Sequence, residues 1–333
     1  MGGHQPFSAT ARNPRRNGGS GLSNRAGKPK PEPAIRRAGA ELGRCATELP
    51  LRKLCAIGCF IGWKGLETLA HDPFYKAHWR NIEPDRMSAY REGFGWNEAT
   101  ERLFKPARIS EGHTVADFGC GPGKISVEIG KQVGSDGHVH AIDINAEFLE
   151  IARENAVAAG VSDRLTTHLK DGVSLPLSNS SLDRISARNA IMYVDDPLHT
   201  LREFHRVLRP GGLAHAIDGD WYMMVAEPIA HDAWRAFVEA ASHACRNSDM
   251  GRKLYAAFVD AGFQDVDVSI VANADVDGRL LGMVRNMAKY AVESGTIDPA
   301  KVERVIAQVE QAHCEGEYLV VSPQFVVTGR KAD

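Results

Sequence analysis

TVADFGCGPGKISVEIGKQVGSDGHVHAIDIN, residues Thr114 to Asn145, decides the fold of this chain. Val115 and Ala116 end a short apolar run, Asp117 follows, and Phe118-Gly119-Cys120-Gly121-Pro122-Gly123 comes next. Glycines place no Cβ between backbone and ligand, so a cofactor can lie against this turn. The spacing predicts a helix from about Lys124 to Val133 and a second strand at Val139–Ile142, closed by Asp143. An acid about 20 residues past the glycines suits a carboxylate that accepts bonds from both hydroxyls of a ribose.

Two kinds of ligand use such a unit. A dinucleotide fingerprint, G-x-G-x-x-G, asks for a third glycine where this chain has Lys124. The spacing is instead D-x-G-x-G-x-G, beginning at Asp117. A carboxylate there repels a pyrophosphate and attracts an ammonium group, as in S-adenosylmethionine. The stretch resembles motif I of the class I S-adenosylmethionine-dependent methyltransferases. A glycine turn alone also serves as a plain strand–helix connection, the lesser of the two readings, and further family signatures follow in order. Lys170-Asp171-Gly172 ends the third strand, and Leu182-Asp183-Arg184-Ile185 leads into Ala187-Arg188-Asn189-Ala190, the fourth strand and its tip. Val207-Leu208-Arg209-Pro210-Gly211-Gly212 turns into the fifth strand. The resemblance covers roughly residues 85–330. It is nearest in look to the small-molecule methyltransferases of ubiquinone and menaquinone biosynthesis.

Strands alternating with helical stretches imply an α/β, doubly wound parallel sheet. The resemblance makes it Rossmann-like and seven-stranded, mostly parallel with the last strand antiparallel, carrying helical N-terminal and lid additions. Expected elements include a helix capped by Asn145 and stopped by Gly160, a strand at 165–169, and a helix at 198–208 opened by Pro197. A fifth strand is expected at 213–217, with His215 as a satisfied core histidine. Helices follow at 228–246 and 251–261, a strand at 266–271, helix again over 278–313, and a last strand at 318–328. The domain reading is a disordered basic extension at 1–38, N-terminal helices at 39–105, and the catalytic domain at 106–333 with helical insertions at 221–261 and 275–315.

The chain has 333 residues, 43% apolar and 25% charged, and a net charge of −2. Residues 1–45 hold nine Lys/Arg against Glu32 and Glu41, so the remainder stands at −9. An acidic body argues against nucleic-acid substrates, which need a basic footprint. The first 38 residues are rich in Gly, Pro, Ser, Asn and Arg and cannot bury enough surface to offset chain entropy. Their poverty in acids matches the composition of a transit segment, but the glycines and prolines would break an amphipathic helix. Leu54–Trp63 is apolar but ten residues long, against about 20 for a membrane span, and reads as a docked helix or hydrophobic lid. Six scattered cysteines, with Cys55 and Cys59 read as buried packing, fit reduced thiols and a cytoplasmic protein.

The resemblance, taken with strand position, assigns the site. Asp117, Gly119, Gly121 and the backbone at Asn189 hold the methionine part of S-adenosylmethionine. Asp143 holds the ribose, with Ile144 against the adenine, and Asp171 and Gly172 hold the adenine edge. Ligands in open parallel sheets sit outside the carboxyl ends of the strands. N-terminal helices in such enzymes cover the cofactor and wall the substrate pocket. They would supply Tyr90 over the cofactor, and Trp79 and Trp96 beside Met192 and Trp221 around the acceptor, although aromatics and methionines there are more often core. Asp218, Asp220 or Tyr193 could act as base. No His/Asp cluster suggests a metal. The expected activity is methyl transfer to O, N or C of a small, partly apolar acceptor, quinone-like or a secondary metabolite. A non-catalytic binding protein, a non-methylating reaction with the same cofactor, and a dinucleotide oxidoreductase are the alternatives. Oligomeric state is not legible.

Overall fold

The computed structural model describes residues 73–93, 95–170 and 172–333. The expectations for the extension at 1–38, the remainder of the N-terminal helices up to residue 72, the apolar stretch Leu54–Trp63, and Asp171 fall outside the described residues.

Three helices precede the sheet: α1 (Phe74–Arg80), α2 (Pro84–Glu92) and α3 (Glu98–Phe104). Asn97 caps α3, its side chain accepting from the Thr100 N–H at 2.9 Å. Then β1 (Thr114–Phe118), α4 (Lys124–Val133), β2 (His138–Asp143), α5 (Ala146–Ala158) and β3 (Leu165–Leu169) follow the spacing read from the sequence. Asn145 is the N-cap of α5, accepting from the Phe148 N–H at 2.9 Å. The next elements are β4 (Leu182–Arg188), α6 (Pro197–Val207) and β5 (Leu208–Gly219). Asp196 caps α6 and Pro197 opens it, where a missing N–H costs nothing.

After β5 come β6 (Val225–Glu227), α7 (His231–Ala241), α8 (Met250–Asp260), β7 (Gln264–Val271) and β8 (Ala274–Asp275). The chain ends with α9 (Leu281–Glu293), α10 (Pro299–Glu315), β9 (Leu319–Val321) and β10 (Gln324–Arg330). The main sheet has seven strands in the order β3-β2-β1-β4-β5-β10-β7. The first five are parallel, and β10 runs antiparallel to both β5 and β7. Central strands are buried on both faces, as β1 is from Val115 to Phe118, because helices cover each side. One side is packed by α6 and α8 around Phe204, Leu254 and Phe258, and the other by α3 and α4 around Phe104, Ile129 and Val133.

Two expectations change. The single last strand at 318–328 is two strands, β9 and β10, separated at Pro323. Proline has no N–H to give a ladder, so pairing lapses there and the chain crosses between sheets. On the near side β9 joins β6 and β8 in a separate three-stranded sheet. The insertion read at 221–261 also divides. Its first half, with α7, packs with α9 and α10 around Trp234, Phe237, Met287 and Val305. Its second half, α8, turns Leu254 and Phe258 onto the main sheet. Each large apolar side chain so buried is worth about 1.5–3 kcal/mol. The lid is therefore a small layer with its own core, built from segments on both sides of α8 and β7.

Candidate functional site

The carboxyl ends of β1, β2, β4 and β5 open toward the lid and N-terminal helices. Asp117 sits near the end of β1, 3% exposed, and accepts from Ser126 Oγ at 2.5 Å. Burial, helped by the charge of Asp143, pushes its carboxyl up to about 6, against the pull of Ser126 and Arg188. Asp117 and Ser186 are register partners, so Arg188, two residues on, lies on the same face. Arg188 Nε is buried without a hydrogen-bond partner, and burial lowers the guanidinium's pKa while Asp117 opposes this. In the sequence Arg188 stands at a strand tip and carries no sign of a role. Only the β1–β4 register pairs it with Asp117.

The glycine turn connects the two strand-tip acids. The Gly119 N–H donates to Ile142 O at 2.8 Å, and the Gly121 N–H donates to Asp143 Oδ2 at 2.8 Å. Gly121 has φ 53°, and a Cβ built there would meet nothing within 4 Å, so the turn presents bare backbone to open space. Asp143 Oδ1 accepts from the Asn145 N–H at 2.9 Å. Burial raises the Asp143 carboxyl, and the N–H groups of Asn145, Gly121 and Ile144 counter it. Each oxygen has further lone pairs for a ligand hydroxyl. Ile144 is half-buried beside it. Asn189 takes φ 49° at the tip of β4 and donates its N–H to Ile217 O at 2.7 Å. Gly172 is exposed, its carbonyl accepting from Lys170 Nζ at 2.6 Å.

Asn145 also reaches the N-terminal helices, its Nδ2 donating to Trp79 O at 2.8 Å. That bond ties α1 to the loop after Asp143. Trp79 lies 5.4 Å from Tyr90 and 5.1 Å from Tyr193, centroid to centroid, and Tyr90 packs edge-on to Phe148. Arg86, 6% exposed, donates to the Tyr90 hydroxyl at 3.3 Å and to Glu83 at 3.0 Å. Its guanidinium stands 5.6–5.8 Å from the ring centres of Trp79, Tyr90 and Tyr290.

The remaining candidates are placed as follows. Trp96 packs on Phe104, in the core between α3, α4 and the sheet, and so is not brought to the Trp79 cluster. Met192 is buried in the α6/α8 core, and Trp221 bridges that core and the lid core. Asp220 is buried, with its oxygens engaged by the Arg252 guanidinium and the Tyr222 N–H. Asp218 is fully buried, and burial drives its pKa well up against the pull of the Ile191 and Met192 backbone N–H groups. Burial also pushes the Tyr193 phenol up. Asp220 is therefore engaged by Arg252, and burial makes Asp218 and Tyr193 hold their protons more tightly than usual. His215 is buried and held down at about 4 by burial, with Nδ1 facing Ser186 Oγ and Nε2 facing Leu103 O.

Residues 115–212 match a family model described as a methyltransferase domain. The chain is 32% identical over 147 residues to the methyltransferase GfsG of Streptomyces halstedii, covering 44% of this chain and 51% of that one. It is 29% identical over 137 residues to a demethylmenaquinone methyltransferase of Listeria monocytogenes, covering 40% and 56%. The chain thus spans about half the length of the curated relatives it matches. Among solved structures, phosphoethanolamine N-methyltransferase 2 of Haemonchus contortus in complex with S-adenosyl-L-methionine aligns with a TM-score of 0.54 at 15% identity, covering 79% of this chain and 61% of that one. At that identity the likeness speaks for the fold.

Proposed function

We infer that this chain, whose residues 115–212 match a methyltransferase domain, is a class I methyltransferase that takes its methyl group from S-adenosylmethionine and gives it to a small-molecule acceptor. One observation carries the reading: a buried acid, an unpartnered buried arginine Nε, a bare glycine turn and a second acid bonded to that turn converge at the ends of β1, β2 and β4. They fit an amino acid joined to a nucleoside. Asp117 would face the ammonium and Arg188 the carboxylate, along a path lined by Gly119, Gly121 and the Asn189 backbone. Asp143 would accept from the ribose hydroxyls, with Ile144 on the adenine face and Asp171 and Gly172 at its edge. Tyr90 would close the site from α2.

The cofactor supplies a methyl carbon already activated by a positive sulfur. The protein's work is to hold the acceptor in line and keep water out. Alignment of this kind is worth up to about 7–11 kcal/mol. Rings of Trp79, Tyr90 and Tyr193 give a wall that keeps water out. The likeness to a demethylmenaquinone methyltransferase and the aromatic wall support a partly apolar acceptor, quinone-like or a secondary metabolite. No described helix is long and apolar enough to cross a membrane, and Cys120, Cys245 and Cys314 are free thiols. The scattered free thiols support work in a reducing compartment, the cytoplasm.

The test is calorimetric binding of S-adenosylmethionine, S-adenosylhomocysteine and NADH to the full chain and to Asp143→Ala. Both adenosyl ligands should bind, and NADH should not. Each charge-assisted bond lost is worth about 1.5–3 kcal/mol, so the variant should bind at least roughly tenfold more weakly. Binding of NADH alone, or equal affinity in the variant, would refute the assignment.

A further inference from the structure

Buried polar atoms in folded proteins are nearly all satisfied, so orphans gathered in one place need a reason. Three lie together on α1 and α2: His78 Nε2, Trp79 Nε1 and Arg86 Nε, all buried and without a hydrogen-bond partner. They belong to the aromatic cluster above the strand ends. The His78 ring stacks on Phe74 at 4.9 Å and lies 5.4 Å from Tyr290 and 6.0 Å from Tyr193. Tyr193 sits four residues past Asn189 at the tip of β4. The Trp79 carbonyl is tied to Asn145, two residues past Asp143. His78 is thus joined, through Tyr193 and the Trp79 carbonyl, to the segments that follow Asn189 and Asp143.

The chemistry of this histidine is fixed by its neighbours. Nδ1 faces Phe74 O at 2.5 Å, an oxygen that can only accept, so Nδ1 carries the proton and Nε2 carries the lone pair. The ring is 5% exposed and held neutral, mainly by burial. The charged or titratable groups facing it are Arg86 from α2 and Glu83 just before it, His243 from the turn after α7, Tyr193 after β4 and Tyr290 from α9. Trp79 Nε1 and Arg86 Nε are donors only. A ligand oxygen among these atoms would donate its proton to His78 and accept from one of the other two, keeping a lone pair for the methyl carbon. A hydroxyl does both. A carbon acceptor offers no such pairing, and the buried Arg86 cation opposes a protonated amine while favouring an oxygen that gains negative charge.

We propose that the methyl acceptor is a hydroxyl on an aromatic ring, seated in this cluster, and that His78 Nε2 takes its proton during transfer. The proposal rests on the methyltransferase reading above and names its acceptor class. The oxygen–carbon bond forms as the carbon–sulfur bond breaks, and that bond's electron pair stays on sulfur. The hydroxyl proton passes to Nε2 and leaves an imidazolium. An oxygen being alkylated becomes far more acidic, so a weakly basic imidazole suffices.

The experiment compares the full chain with His78→Phe, which keeps the ring stack and removes both nitrogens. S-adenosylhomocysteine binding comes first and should be equal in the two. If the parent chain fails to bind it, the methyltransferase reading fails and this proposal with it. Labelled methyl transfer is then measured to 4-methoxyphenol, phenol, 4-nitrophenol and aniline. The parent should label the phenols. His78→Phe should lower kcat about 100-fold or more on 4-methoxyphenol, with KM little changed, and the loss should shrink as the phenol becomes more acidic. Binding of 4-nitrophenol to the S-adenosylhomocysteine complex, a readout free of turnover, should weaken up to roughly tenfold in the variant. A uniform loss across the phenols means a structural role and overturns the proposal. So does label in aniline alone, or label in none of the four while S-adenosylhomocysteine binds.

Discussion

Alanine at Gly123 should destabilise the chain by about 2–4 kcal/mol, and the cost arises at the contact between α4 and α5. Gly123 is the N-cap of α4 and holds φ 76°. A side chain there pays about 1–2 kcal/mol for the left-handed conformation, against about 0.4–1 kcal/mol regained from a stiffer unfolded chain. Its Cβ would stand 2.4 Å from Ala152 Cβ and 2.8 Å from Ala152 Cα on α5. Carbon atoms rest at about 3.5–4.0 Å, so α4 and α5 must part, and such overpacking costs about 1–3 kcal/mol. Ala152→Gly alone should cost about 1 kcal/mol as a helix-interior glycine. Because it removes one of the two clashing atoms, the double variant should recover about 1–2 kcal/mol of the summed losses. Guanidinium unfolding at constant m gives the four free energies of the cycle. S-adenosylhomocysteine affinity should fall with Gly123→Ala, since parting α4 from α5 moves the Gly121 N–H away from Asp143. Losses that add to within about 0.5 kcal/mol would refute the close approach. So would a Gly123→Ala cost below that size.

Stability should depend on pH through Asp117. Its carboxyl is raised from 3.8 to about 6, so the folded chain holds this proton more tightly than the unfolded one. That contribution is fully present below about pH 4 and is lost as pH rises through about 6. Asp117→Asn should therefore be more stable than the parent by up to about 3 kcal/mol at pH 8 and by roughly half that at pH 5. Denaturation midpoints at both pH values check this, and an equal gap at the two would refute it. Arg252→Ala should leave Asp220 buried without its cation. Arg252 is itself about half exposed, so the loss should be about 1–3 kcal/mol, below that of a fully buried pair. An unchanged midpoint would mean that water already screens the pair.

The sheet, and the half of the site that lies on strand tips, are legible in the amino-acid order alone. Glycines, caps and acids act within a few residues, so the spacing of Asp117, Gly119, Gly121 and Asp143 placed the turn and both acids without any knowledge of distant contacts. The parallel sheet followed from strands alternating with helices, while the seven-strand count and the antiparallel final strand came with the family resemblance. Tertiary packing settled the rest. Arg188 meets Asp117 only through the register of β4 on β1. Asp220 meets Arg252 across 32 residues, and Trp96 goes to the α3/α4 side because Phe104 is there. The lid gathers α7, α9, α10 and three short strands around one core, while α8, lying between them in sequence, packs on the main sheet. Apolar periodicity tells which face of a helix is buried and is silent on which partner buries it. For the same reason His78 carried no signal: its role depends on a carbonyl four residues back fixing its proton, and on rings from three other elements that leave its second nitrogen without a partner.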